Sequence, residues 1–142
     1  MEIIIDPRAG FCPGVRRAIN QVETRLHRGE ALTALGPLIH NQREIDRLAL
    51  LGLETVSQEV ADQPDKLAGL QGREIFIRTH GVGTALQTNL HDAGFTVIDG
   101  TCSTVKRVQK MAAEHYRLGE QIVIIGKKGH AEVIGILGHC EN

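Results

Sequence analysis

The sequence has no tryptophan and one tyrosine, and aromatic residues make up only 3% of its 142 positions. Proteins that bind single-stranded nucleic acid stack bases on aromatic platforms, and little is available here to build one. A surplus of either charge is also missing. Sixteen lysines and arginines stand against 17 aspartates and glutamates, which argues against a surface that tracks a phosphate backbone. No apolar run approaches the roughly 18 residues that a membrane span needs. The start carries Glu2 and only the short run Ile3-Ile4-Ile5, without the long apolar stretch of a signal peptide. A cytoplasmic protein with reduced cysteines is the expectation, with no nucleic acid and no membrane as partner. Cysteine is scarce as well: Cys12, Cys102 and Cys140. An odd count excludes a full disulfide set in the monomer, and the lack of any C-x2-C pair excludes a zinc ribbon or a ferredoxin-type run.

What is present is a regular alternation of apolar periods. The length fits one domain or two small ones, at about 100–200 residues each. Residues 2–6 read as a short buried strand, and the turn 9–14 carries Gly10, Cys12, Pro13 and Gly14. Val15, Ala18, Ile19, Val22 and Leu26 then recur at helical spacing, and Gly29 ends that helix. Residues 31–35 are a strand. Asn41 with Glu44 resembles a capping box for a short helix closed by Gly52, and 53–56 is a further strand. The polar stretch 57–72, with Pro64, reads as a connection and as the first candidate for a boundary between units. Beyond it, 74–79 is a strand, 84–93 a helix and 95–98 a strand. Residues 101–118 form the longest helix, with Val105, Val108, Met111, Ala112 and Leu118 on one face. Residues 121–125 read as another strand and 132–137 as the start of a helix. Strands alternating with helices predict an α/β fold with mostly parallel sheets. A strand–Cys–helix order recurs at Cys12 and Cys102. The end at Asn142 falls a few residues into the last element and reads as a truncation.

In open α/β sheets, ligands bind beyond the carboxyl ends of the strands. The turns there hold Cys12, His40, His80, Cys102 and His130. An isolated cysteine is commonly a small buried hydrophobe, and Cys140 reads that way. Cys12 and Cys102 sit at strand-to-helix turns, where a helix N-terminus favours thiolate, the metal-ligating species. A single loop histidine is commonly structural, but three at equivalent strand ends point to phosphate binding or proton transfer. Asn41, Thr79, Thr101, Ser103 and Thr104 add neutral donors. The pocket so assembled is friendly to an anion without being strongly cationic. Glu132 on spacing alone reads as a first-turn glutamate favoured by the helix dipole. A carboxyl beside an anion site is also pushed toward a higher pKa and suits proton donation.

Five segments occur in order: Gly10-Phe11-Cys12-Pro13-Gly14-Val15 with Arg17-Ala18-Ile19, then Ile39-His40-Asn41, Thr79-His80-Gly81-Val82, Asp99-Gly100-Thr101-Cys102, and Gly129-His130-Ala131-Glu132-Val133. Together they resemble the 4-hydroxy-3-methylbut-2-enyl diphosphate reductase family of the non-mevalonate isoprenoid pathway. The resemblance implies pseudo-repeated three-layer α/β units around a [4Fe-4S] cluster, with one cysteine per unit and one iron left open for substrate. It implies reductive dehydroxylation of an allylic diphosphate to isopentenyl and dimethylallyl diphosphate. By motif match, Cys12 and Cys102 are cluster ligands, His40, His80 and His130 bind the substrate's diphosphate, and Glu132 is the proton donor. The family's third cysteine lies beyond the equivalent of Asn142, and Cys140 does not match it. In these terms residues 1–13 are an N-terminal strand and Cys loop. Residues 14–100 are a first unit, with 57–72 as an internal connection, and 101–142 begin a second. The absence of a G-x-G-x-x-G fingerprint implies an external electron donor, such as ferredoxin or flavodoxin. Two other readings stand beside this one: a non-catalytic diphosphate-binding module, and a cofactor-free phosphate-ester hydrolase. The second is weak, because no histidine has a sequence-adjacent nucleophile or orienting acid.

Overall fold

The computed structural model describes residues 2–6, 9–63, 66–67, 69–70 and 74–140. Its centre is a four-stranded, all-parallel sheet in the order β2-β1-β3-β4. The strands are β1 (Leu32–Leu35), β2 (Glu54–Val56), β3 (Glu74–Ile77) and β4 (Thr96–Asp99). Central β1 is buried along its whole length, and β3 is buried at three of its four positions. This is why both read as continuous apolar runs rather than alternating ones. The register aligns Ala34 with Phe76 and Phe76 with Ile98 on one face. On the other, Leu35 aligns with Ile77 and Val56.

Each face is covered by helix. Helix α1 (Pro13–Leu26) and α2 (Gln42–Leu50) bury Ala18, Ile19, Val22 and Leu48 with Leu32, Ala34 and Phe76. On the opposite face α3 (Thr84–Asp92) buries Leu86 and Leu90 with Leu35, Ile75 and Ile77. Among the described residues two further helices follow, α4 (Ser103–Arg117) and α5 (Ala131–Leu137), which pack on each other. The expected α/β architecture is present as a helix–sheet–helix unit. Local signals hold too. Asn41 caps α2 by accepting a hydrogen bond from the Glu44 amide at 3.2 Å. The Glu44 carboxylate pairs with Arg47 rather than closing the capping box.

Four expectations are corrected. Residues 2–6 and 121–125 are irregular rather than strands. Ile3, Ile4 and Ile5 are 72%, 84% and 77% exposed, and Val123 and Ile125 are 74% and 97% exposed. A β-branched run becomes a strand only when a neighbour takes its backbone hydrogen bonds, and no described strand lies beside either run. The stretch 57–72 is not a boundary between sheets, because β1 pairs with β3 across it. It contains a 3-10 turn at Gln58–Asp62, while Pro64 lies outside the described residues. The apolar face of α4 is also not the buried one. Val108, Met111 and Leu118 are exposed, whereas Gln109 and Ala113 are buried. Gly135 of α5 lies close against Gln109, so packing between the two helices selects that side.

The carboxyl end of β4 tolerates no side chain. A Cβ at Gly100 would collide with the Phe76 ring and lie 2.6 Å from the Ile77 carbonyl oxygen. That same carbonyl accepts the Gly100 amide at 2.9 Å, so the backbone cannot retreat. Gly100→Ala is expected to cost about 2–3 kcal/mol by overpacking. Gly94→Ala has open space around it and is expected to cost about 1 kcal/mol, through its left-handed backbone alone. Urea unfolding of the two variants checks the order; equal losses contradict it.

Candidate anion and thiolate site

Because the strands are parallel, the turns after β1, β3 and β4 open on one edge of the sheet. Hydrogen bonds from Thr79 and to it tie these turns together. Its hydroxyl donates to the Leu38 carbonyl at 3.3 Å, and its own carbonyl accepts the Cys102 amide at 3.0 Å. Thr101 turns inward to Asp99, donating to it from both amide and hydroxyl. These two threonines, read as ligand donors, are thus spent on holding the edge together.

Cys12 and Cys102 both occupy N-cap positions, Cys12 before α1 and Cys102 before α4, but only Cys102 follows a strand among the described residues. Neither is in a disulfide. Gly14, in the first turn of α1, lies close against Cys102. A Cβ there would lie 2.7 Å from the Cys102 Sγ, so the thiol fills the space where a side chain would project. Burial works against a Cys102 thiolate. The amides of Thr104 and Val105 and the hydroxyls of Thr104 and Ser103 overcome it, and hold the thiol below its ordinary value. This is the helix N-terminus effect expected from the sequence. Cys140 lies past the opposite end of α5, buried beside Tyr116, Ile122 and Leu137.

The three histidines meet. Ring centroids of His40 and His80 are 4.9 Å apart, those of His80 and His130 5.8 Å, and those of His40 and His130 6.2 Å. His40 precedes the cap of α2, His80 follows β3, and His130 is the N-cap of α5 and accepts the Glu132 amide at 3.3 Å on Nδ1. His80 is the buried member, and its Nδ1 has no partner among the described residues. Its pKa is lowered from 6.5, chiefly by burial, then by the Arg78, His40 and His130 charges, with Glu132 opposing. Glu132 is therefore close enough for its charge to act on the cluster.

A cavity of about 270 Å³ adjoins His40 and His130, and Arg78, Lys127 and Lys128 also line it. This corrects the expectation of a pocket with little positive charge. Arg78 is two residues before His80, and Lys127 and Lys128 lie in the loop before His130. Their positions at the carboxyl edge were the available signal.

A family model described as "LytB protein" matches residues 3–142. The chain belongs to the LytB protein family. It is 40% identical to the 4-hydroxy-3-methylbut-2-enyl diphosphate reductase of Caldanaerobacter subterraneus, over all of this chain and 48% of that protein. To the enzyme of the same name from Bacteroides thetaiotaomicron it is 37% identical, over 97% of this chain and 47% of the relative. A solved structure of (E)-4-hydroxy-3-methyl-but-2-enyl diphosphate reductase superposes with a TM-score of 0.75 at 38% identity, covering 96% of this chain and 46% of the other. The Plasmodium falciparum reductase superposes at 0.81 with 27% identity, covering 94% and 40%. The LytB chain thus spans about half the length of these relatives.

The LytB site carries a pH dependence. In the unfolded chain His80 takes up a proton near its ordinary value of 6.5, and in the folded chain only at lower pH. The unfolded state therefore binds more protons in this window, and stability is lost as pH falls through it. Urea unfolding at pH 7.5, 6.5 and 5.5 is expected to show this decline, and His80→Gln to flatten it. An equal slope in the variant contradicts the assignment.

Proposed function

We propose that this chain is the cluster- and substrate-holding N-terminal half of a 4-hydroxy-3-methylbut-2-enyl diphosphate reductase. The observation that carries the reading is the convergence of His40, His80 and His130 on one sheet edge. That edge also holds two free thiols at helix N-termini. Residues 14–100 form the first unit in this reading, and 101–142 open a second.

The donor set suits an iron–sulfur group as far as it goes. Thiolates are the ligands such clusters take, and Gly14 leaves room for the Cys102 thiol at the first turn of α1. Cys12 and Cys102 would hold a [4Fe-4S] cluster, with the third thiolate supplied from outside this chain. Among the described residues no group of three or more histidine, cysteine or acidic side chains is poised around a metal. When bound, the cluster supplies electrons and a Lewis-acidic iron. His40, His80 and His130 orient the diphosphate through ring N–H groups. The unpartnered Nδ1 of His80 is a free hydrogen-bonding position for that purpose. Glu132 holds the proton that leaves with the allylic hydroxyl as water. Two electrons from a ferredoxin- or flavodoxin-type donor and a second proton complete the reduction. Among the described residues no helix is long and apolar enough to cross a membrane, and the reading assigns the enzyme to the cytoplasm.

A diphosphate-binding module without a redox centre is the second reading, favoured by the cations that line the cavity. Anaerobic reconstitution with iron and sulfide separates the two. The reductase reading expects iron uptake that falls several-fold in Cys12→Ser and in Cys102→Ser but not in Cys140→Ser. It also expects the reconstituted polypeptide, completed by the other half of the family's length, to reduce the allylic diphosphate. Diphosphate binding by a chain that takes up no iron supports the module instead.

A further inference from the structure

One buried polar side chain takes no part in the histidine or cysteine sites. Gln109, on α4, is 4% exposed, and its Nε2 has no hydrogen-bond partner among the described residues. A buried amide donor left unpaired costs stability, and an apolar side chain of the same length would avoid that cost. Packing alone therefore does not account for a glutamine here.

The Nε2 is wedged between two glycines of different elements. A Cβ at Gly81 would lie 2.5 Å from it, and a Cβ at Gly135 2.9 Å from it. Gly81 directly follows His80 in the turn after β3. Its φ of +72 suits glycine, and the missing side chain leaves the space that the amide fills. Gly135 belongs to α5, whose N-cap is His130 and whose first turn carries Glu132. Helix α4 itself starts after Cys102. The amide thus stands where the elements that carry His80, His130 with Glu132, and Cys102 meet. The His80 carbonyl is there too, since the same Cβ at Gly135 would lie 3.4 Å from its oxygen. That oxygen accepts no backbone hydrogen bond among the described residues. A donor without a partner and a carbonyl without a backbone donor share one space against Gly135.

The other end of α5 is held differently, by backbone contact. A Cβ at Gly83 would lie 2.9 Å from the Gly138 Cα. Thr84 donates to the Gly138 carbonyl from its amide at 3.1 Å and from its hydroxyl at 2.9 Å. This clasp fixes the C-terminal end of α5 against the start of α3. The end that carries His130 and Glu132 is set by the contact at Gly135, where the nearest side-chain atom is the Gln109 Nε2.

We propose that Gln109 is a positioning residue for His80: its carboxamide spaces the His80 turn from α5, and its Nε2 donates to the His80 carbonyl as the ring takes up an anion. Gln109 acts through the turn, by keeping the imidazole where His130 and Glu132 face it. The consequence for binding rests on the diphosphate reading above, whereas the spacing is measurable without any ligand.

Nuclear magnetic resonance of the histidine rings against pH, on the full chain, reads the spacing. The His80 ring faces Arg78, His40, His130 and Glu132, and burial keeps it toward the neutral form. Gln109→Met keeps the length of the side chain and removes the amide. Its His80 midpoint is expected to rise toward the ordinary 6.5, as the loosened turn admits water. Its unfolding midpoint is expected to hold or rise, because an unpaired buried donor is gone. Its affinity for inorganic pyrophosphate, by titration calorimetry, is expected to fall roughly fivefold, the worth of one hydrogen bond. Gly135→Ala crowds the same amide from the α5 side and is expected to move the His80 midpoint as well. It decides the matter if Gln109→Met does not fold. Gly94→Ala, which weakens the fold elsewhere, is expected to leave the His80 midpoint in place, and so separates positioning from a general loss of stability. An unmoved His80 midpoint in Gln109→Met overturns the inference, as does wild-type pyrophosphate affinity in that variant. If the wild-type chain binds no pyrophosphate, a moved midpoint still supports the spacing role, and the diphosphate reading is what falls.

Discussion

Everything at the site depends on how the carboxyl edge of a parallel sheet is held together. Parallel strands deliver their turns to one edge, but turns alone splay. Thr79 prevents this, with its hydroxyl on the turn after β1 and its carbonyl on the amide of Cys102. A backbone-to-backbone bond between two turns leaves little freedom for the residues that follow, here His80 and the first turn of α4. Gly14 extends the same constraint to α1, because only a residue without a side chain leaves room there for the Cys102 thiol. The histidines and cysteines are therefore placed by backbone contacts rather than by bonds among themselves.

The electrostatics follow from that placement. Burial first, and then the Arg78, His40 and His130 charges, favour neutral His80. At the other end of the edge, amides and hydroxyls at the start of α4 favour the anionic form of Cys102 despite burial. One edge thus has a region suited to receiving an anion and a region suited to presenting a thiolate.

Much of this was legible in the sequence, and the reason is locality. Helix α1 follows from the spacing of Val15, Ala18, Ile19 and Val22, and the cap of α2 from Asn41. The meeting of His40 and His80 follows from the rule that turns of a parallel sheet share an edge, whereas His130 reaches them as the N-cap of α5 with no strand before it among the described residues. What was not legible depended on partners. Ile3–Ile5 and 121–125 have strand composition, yet a strand exists only where another strand pairs with it. The face of α4 that packs is decided by Gly135 against Gln109, a contact between positions with no visible relation in the sequence. Arg78 escaped because an arginine ending an apolar strand looks like an ordinary solvated charge. Only the fold shows it over Gly36 and, among the described residues, without a carboxylate.

The central claim is that His40, His80 and His130 act as one anion site. The most direct measurement is nuclear magnetic resonance of the imidazole signals while inorganic pyrophosphate is added. The account predicts that all three histidines shift together along one binding curve, with His27 and His91 unmoved. Independent curves, or movement of His40 alone with the buried His80 unmoved, would contradict it.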